Sequence, residues 1–422
     1  MLYPKMVRIR QLFDVPPPVE DIPQAVRHAL RPLRPALKIM PGETVAITAG
    51  SRGVANIVVI MKTLVEELKA MGALPFIVPA MGSHGGATAE GQVDVLRHLG
   101  ITEDSMGVPI RSSMEVVQVG ETLGFPVYLD KVAFEADHIA LVARIKPHTD
   151  FKGDIESGFC KMMAIGLGKH KGAAICHHAF LQHGYAKTIK HVACEVLKKT
   201  RIALGLGIIE NAYDQTTKIE AVLQDEMERK EMELLRVAKS WMMRLPLHEV
   251  DVLVVDEVGK NISGQGMDTN VIGRLPHRFG EPFGPKIARI VVLDLTEETC
   301  GNALGIGMAD FTTCRLVKKI DRRVTYMNAL TAMTLDAAKI PAYFDTDREA
   351  IDAALGTISL IEPRTPKVIR IKNTLMLNEV EVSETCMHLL RERKDLVQLS
   401  DPEELQFDRH GNLLPFTLAH AA

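Results

Sequence analysis

The stretch TVAITAGSRGVANIVVIMKTLVEELKAMGALPFIVPAM, residues 44–81, sets the fold class. Two short runs, TVAITAG (44–50) and LPFIVPAM (74–81), are rich in β-branched and apolar residues and read as strands. Between them Ile57, Val58, Met61, Val65 and Leu68 recur at three- and four-residue steps, with Lys62, Glu66, Glu67 and Lys69 on the other side. That spacing predicts an amphipathic helix over 54–72 with one face on a sheet. Strand, helix, strand is the unit from which parallel sheets are built.

The same alternation extends outward. MEVVQVGETLGFPVYLD (114–130) and HIALVARIK (138–146) read as further strands, and AKTIKHVACEVLKK (186–199) as a helix followed by the strand IALGLGIIE (202–210). A charged helical segment, 224–245, leads to the strand VDVLVVDEVG (250–259), and a new series continues through ARIVVLDLT (288–296), DREAIDAALGTI (347–358) and KVIRIKNT (367–374). The expectation is two α/β domains with mainly parallel sheets and an active site in the interdomain cleft. Residues 1–245 are expected to form an N-terminal domain and 246–422 a C-terminal domain that closes the cleft.

Composition narrows the partners. Fifty Lys and Arg against 53 Asp and Glu give a formal charge of −3, which provides no field to gather nucleic acid or an anionic membrane. The first residues, MLYPKMVRIR, lack the apolar run of a signal peptide, and no 18-residue apolar run occurs, so a cytoplasmic protein acting on a small molecule is expected. The six cysteines form no CxxC pair and read as reduced, buried side chains, with Cys160 and Cys176 set apart because they fall in the reactive stretch described next.

Three segments carry chemistry. In PAMGSHGGATAEGQ (79–92), Gly82, Gly85 and Gly86 permit a sharp turn that holds His84 at the carboxyl end of a strand, where ligands bind in open α/β sheets, and Thr88 suits a helix cap. In ITAGSRGVAN (47–56), Arg52 is placed to grip a carboxylate by a planar two-point contact. The third segment, RIKPHTDFKGDIESGFCKMMAIGLGKHKGAAICHHAF (144–180), holds His148, His170, His177 and His178, with His183 and His191 close behind. Six of the chain's fifteen histidines in so short a span point to a metal or proton-transfer site. Lys161 lies among Phe159, Cys160, Met162, Met163 and Ile165, a setting that lowers an amine's pKa and favours covalent chemistry. GLGKHKGA (166–173) offers Gly166, Gly168, Lys169 and Lys171 as a phosphate cradle, although it is not a Walker loop. Asp154 and Glu156 read as surface-loop residues, the other reading being that they orient a histidine or bind a polar substrate.

Together, SR after one strand, MGSH after the next, then KPH, a lysine, and a histidine sixteen residues beyond it resemble the lactate racemase family over roughly residues 40–180. The resemblance implies a racemase or epimerase of 2-hydroxy acids that uses a pyridinium-derived nickel-pincer nucleotide. It further implies that Lys161 anchors the cofactor covalently, His177 ligates the nickel, and His84 and His148 are the two bases. Cofactor-biosynthesis proteins are then implied as partners. Departures bear on substrate: Ala49 stands where the family has an acidic residue, and Lys260, Asn261 and Gln265 match the family's glutamine and lysine only loosely. The segment between His148 and Lys161 is also longer than the family type. Two other readings remain at this level: a zinc hydrolase or lyase using His84, His148 and His177, and a non-catalytic cofactor carrier.

Overall fold

A computed structural model describes residues 3–277, 283–359 and 365–415. The chain forms two compact units, Val15–Met242 and a second made of the chain up to Asp14 together with the chain from Met243. Each is an α/β unit with a largely parallel sheet. Among the described residues no helix is long and apolar enough to cross a membrane.

In Val15–Met242 the strands Leu74–Pro79, Thr44–Ala49, His138–Arg144 and Ile202–Glu210 lie side by side in parallel, and Thr216–Val222 closes the sheet antiparallel. Ile47 pairs with Ile77 on one side and Ala140 on the other. Alternate residues face opposite layers, because strand side chains repeat every second position. Val45, Ile47 and Ile77 pack with Ile60, Leu64 and Leu68 of the helix Ile57–Ala70, while Ala46, Phe76 and Val78 pack with Phe159, Met163 and Val192 on the other face. Both faces are therefore covered, as parallel sheets require.

The 114–130 segment differs from the expected continuation of the strand series. Val116–Thr122 and Phe125–Asp130 pair only with each other, as an antiparallel hairpin outside the main sheet. Its two-residue turn, Leu123 and Gly124, has φ of 49° and 83°, which matches the twist of a hairpin but not a parallel crossover.

The second unit holds an eight-stranded sheet. Ala342–Phe344, Phe311–Thr313, Lys286–Leu295, Glu249–Val258 and Val368–Ile371 run parallel, followed by antiparallel Glu379–Ser383, Met6–Gln11 and Leu396–Gln398. Residues 1–14, read from sequence as part of the N-terminal domain, thus belong with the chain from Met243. Their strand MVRIRQ buries Val7 and Ile9 in that unit's core, and Arg10 pairs with Glu379 at 2.7 Å.

Candidate active site

Three adjacent parallel strands end at Ala49, Pro79 and Arg144, so the segments that follow them emerge at one edge of the sheet. The loop after Pro79 turns through Gly82, Gly85 and Gly86, all with φ between 62° and 67°. A Cβ on Gly85 would stand 2.6 Å from the backbone nitrogen of Gln92, so only glycine permits the close return. Nδ1 of His84 is hydrogen-bonded to Oγ of Ser51, which ties two of the three loops together. Thr88 caps the helix Ala89–His98 by accepting from the Gly91 N–H at 3.0 Å.

The third loop is organised by Glu156. This carboxylate, expected on the surface, is fully buried, and it accepts from the backbone N–H of His148 at 2.6 Å and of Gly153 at 3.1 Å. Lys239 at 2.7 Å and Lys152 at 3.4 Å balance its charge. Asp154, by contrast, is exposed. The backbone N–H of Asp150 donates to Nδ1 of His148 at 2.9 Å, so Nδ1 carries no proton in this arrangement. Nε2 of His148 contacts Nζ of Lys161.

Lys161 ends the three-residue helix Phe159–Lys161, and a π-turn, Met162–Gly166, follows directly. Single π-turns interrupt regular backbone mainly at functional positions. The half-buried amine is brought down to about 8, chiefly by desolvation and further by the cations of Arg52 and Lys146, while Asp150 opposes the shift. His148 is driven well below its ordinary value by burial first and then by Lys161, Lys146 and Lys152. It is therefore a neutral imidazole at neutral pH.

His177 lies on the helix Lys169–His183 and is also lowered, by desolvation, with Lys161 and His178 adding to the effect and Asp150 opposing it. His178 is exposed, as is His170. A continuous run of rings joins the two inward histidines. His148 stacks on Phe151 at 4.6 Å, Phe151 on Tyr185 at 5.0 Å, Tyr185 on Phe180 at 4.3 Å, and His177 meets Phe180 edge-on at 5.3 Å. This wall holds both imidazoles through packing on rigid elements. Arg52 is exposed at the same edge, where its charge reaches Lys161.

The proposed phosphate cradle is corrected. Lys169 is wholly buried and ion-paired to Asp130 at 2.9 Å, so it is unavailable to a phosphate. Gly166 and Gly168 are packing positions: a Cβ would stand 2.6 Å from the carbonyl oxygen of Ala80 in one case and 2.7 Å from that of Ala164 in the other. Lys171 is exposed, with its ammonium 4.1 Å from the ring centroid of Tyr128. Cys160 and Cys176 are buried, and burial raises both thiols, Cys176 to about 12, so neither is a reactive thiolate. Cys300 is exposed rather than buried. In the other unit Lys260 donates to the carbonyl oxygen of Gly264 in its own loop, and Gln265 is buried.

Glu231 has no counterpart in the sequence reading. It is fully buried on the helix Met227–Ser240, accepts from the Cys160 N–H at 2.8 Å, and thereby fixes the start of the turn that carries Lys161. Burial raises it to about 7. Its signal was available: Glu231 shares the apolar stripe of Met227, Leu234, Leu235 and Ala238. A carboxylate there has to meet a buried partner.

The donor set suits one anchored group. A near-neutral amine and a neutral imidazole fit a covalently tethered group with a single protein ligand to its metal. Three imidazoles on one zinc ion would need a cluster of ligands, and the described residues contain no group of three or more His, Cys, Asp or Glu that could hold a metal ion.

Residues 7–188 match the family model of the lactate racemase N-terminal domain. No curated protein matches the sequence. Among solved structures, the chain is similar to the lactate racemase apoprotein from Thermoanaerobacterium thermosaccharolyticum, with a TM-score of 0.55 and 15% identity, covering 88% of this chain and 99% of that one. It is also similar to a protein from Thermotoga maritima, with a TM-score of 0.54 and 13% identity, covering 84% and 97%. At those identities the solved structures speak for the fold, and the domain match speaks for residues 7–188. Residues 7–188 are thus similar to the lactate racemase N-terminal domain, and the chain shares the fold of the lactate racemase apoprotein.

Proposed function

We propose that the protein is an isomerase that inverts the hydroxyl-bearing carbon of a 2-hydroxy acid, lactate-like or larger, with a nickel-pincer nucleotide held by Lys161 and His177. The observation that carries this reading is the Lys161 amine, lowered to about 8 and in contact with His148. An amine of that kind forms a covalent link at neutral pH, whereas a solvated lysine near ~10.4 does so far more slowly. The chemistry supplied by such a nucleotide is reversible acceptance of the α-hydrogen as hydride.

The chain's own residues do the rest. Arg52 binds the substrate carboxylate, by charge and a two-point hydrogen bond. His84, oriented through Nδ1 by Ser51, takes the hydroxyl proton of one enantiomer, and His148, kept neutral by burial, takes that of the other at Nδ1 once the substrate hydroxyl displaces the Asp150 N–H. Two bases on different loops match the need to serve two mirror-image hydroxyls. Lys171 is the remaining cation of the 166–173 segment exposed to meet a nucleotide phosphate, Lys169 being engaged elsewhere.

Coexpression with cofactor-making proteins, followed by intact-mass and metal analysis and a chiral screen of 2-hydroxy acids, tests the proposal. The wild type is expected to gain mass on Lys161 and one nickel and to invert at least one substrate, and Lys161→Ala to gain neither. His84→Ala should retain the adduct and lose about 10²–10⁴-fold in kcat. An adduct-bearing wild type that inverts no 2-hydroxy acid would leave a cofactor-binding protein and end the isomerase reading.

A further inference from the structure

We propose that the buried trio Lys169, Gln92 and Asp130 positions His84, by pinning the carbonyl groups of its loop to the helix that carries His177; this rests on the reading of His84 as a base. All three side chains are 0% exposed. Nζ of Lys169 donates to the carbonyl oxygen of Pro79 at 2.6 Å and to Oε1 of Gln92 at 3.0 Å, and stands 2.9 Å from Oδ2 of Asp130. The ammonium thus donates to two acceptors and is balanced by the charge of the Asp130 carboxylate.

The consequence runs through the amide of Gln92. Because its oxygen faces the ammonium, its NH2 faces the loop, where it donates to the carbonyl oxygens of Gly82 at 2.9 Å and His84 at 3.3 Å. The amide has one orientation that satisfies both sides, and Lys169 selects it. Pro79, Gly82 and His84 are thus held by one cation, directly or through one amide.

The other ends of the network lie on the segment that links Lys161 to His177. Lys169 is the first residue of the helix Lys169–His183 and adopts φ +52°, an uncommon backbone state for a lysine. The Asp130 N–H donates to the carbonyl oxygen of Leu167 at 2.7 Å, and the Gly82 N–H to that of Gly166 at 3.1 Å. Buried ion pairs contribute little net stability compared with apolar packing of the same volume. What this one contributes is geometry: the His84 loop cannot shift without breaking contacts to the segment that follows Lys161.

Two variants separate positioning from bulk stability. Gln92→Leu keeps the ion pair and removes the donors to the loop. Lys169→Met combined with Asp130→Asn removes both charges together and keeps an oxygen at 130 for the Ala133 N–H that Asp130 now caps at 2.9 Å. In the cofactor-free chain, each is expected to speed amide exchange across residues 82–86 by about tenfold or more while the rest of the Val15–Met242 unit keeps its protection. In loaded enzyme, kcat should fall about 10–100-fold with KM within about twofold, as for a misplaced base.

Unchanged loop exchange in Gln92→Leu overturns the proposal, and that variant reads the loop even where the double variant does not fold. Should Gln92→Leu itself lose protection throughout the unit, the trio is a core-stability element and the proposal also falls. Faster loop exchange with a wild type inactive on every 2-hydroxy acid would instead sink the isomerase reading and leave the positioning role standing.

Discussion

Lys161 and His148 set each other's protonation. The Asp150 N–H occupies Nδ1 of His148, so the neutral ring holds its proton on Nε2, the atom that contacts Nζ of Lys161, and only the uncharged amine can accept it. Lys161 as a cation is the second contributor to the low pKa of His148, after burial. Lys161→Met therefore raises the His148 pKa, yet leaves it below ~6.5 because desolvation remains. Histidine resonances followed against pH in the two proteins check this, and an unchanged or lower value in the variant contradicts the contact. The same charge is removed when the amine becomes part of an amide-like link, so anchoring a group at Lys161 would bring His148 nearer the range useful to a base.

Glu231 gives the residue scale a stability test. Its folded value of about 7 lies above the ordinary 4.5, so the folded protein holds a proton there that the unfolded chain has released. Its contribution is present below pH ~4.5 and is lost as pH rises through about 7. Glu231→Gln keeps an acceptor for the Cys160 N–H and cannot ionise. Relative to wild type it should gain on the order of 3 kcal/mol of unfolding free energy between pH 4 and pH 8, read from denaturant titrations at each pH. The closeness of His148 and Lys161 was legible in the sequence because reactive residue types cluster there. Glu156 was legible as a residue that could orient a histidine, and it holds the His148 N–H; Glu231 and Gln92 were not legible, because their roles arise from what buries them, and a single sequence shows burial only as a polar residue interrupting an apolar stripe.

At the scale of elements, the strand and helix periods of residues 44–81 were sufficient to place the parallel sheet, since each strand needs helices on both faces and the sequence supplies them in alternation. The hairpin at 116–130 was misplaced because alternation identifies a strand but not its neighbour. The π-turn after Lys161 left no pattern in a run of Met, Ala and Ile that any helix could use. The helix Ala89–His98 shows how a local rule is overridden. Replacing a helical glycine by alanine ordinarily stabilises by about 1 kcal/mol. At Gly91 the added Cβ would lie 2.8 Å from both the carbonyl carbon of Gly85 and Oγ1 of Thr88, so the cap and the His84 loop must give way. Gly91→Ala should therefore cost about 1–3 kcal/mol rather than gain 1, with the same sign seen in the thermal midpoint. A higher midpoint would mean that the loop yields freely and that its close packing is incidental.

On the scale of the whole chain, the first fourteen residues decide how the molecule divides. The sequence offered no reason to separate MVRIRQ from the strands that follow, because partner choice between strands hundreds of residues apart leaves no local trace. In the structure this strand lies between Glu379–Ser383 and Leu396–Gln398, with Val7 and Ile9 at 1% and 0% exposure. Burying two such side chains is worth roughly 1.5–3 kcal/mol each, and the strand's hydrogen-bond ladders and the Arg10–Glu379 pair add to that. The total is comparable with the 5–15 kcal/mol that holds an ordinary domain together. Deleting residues 1–14 should consequently abolish the cooperative unfolding of the unit formed with Met243 onward, while Val15–Met242, which contributes none of its strands to that sheet, keeps its own transition. Calorimetry and limited proteolysis of the truncated chain read this directly: loss of protection from Met243 onward with Val15–Met242 resistant is the expected pattern. Survival of both transitions would show that the strand merely decorates a sheet already complete.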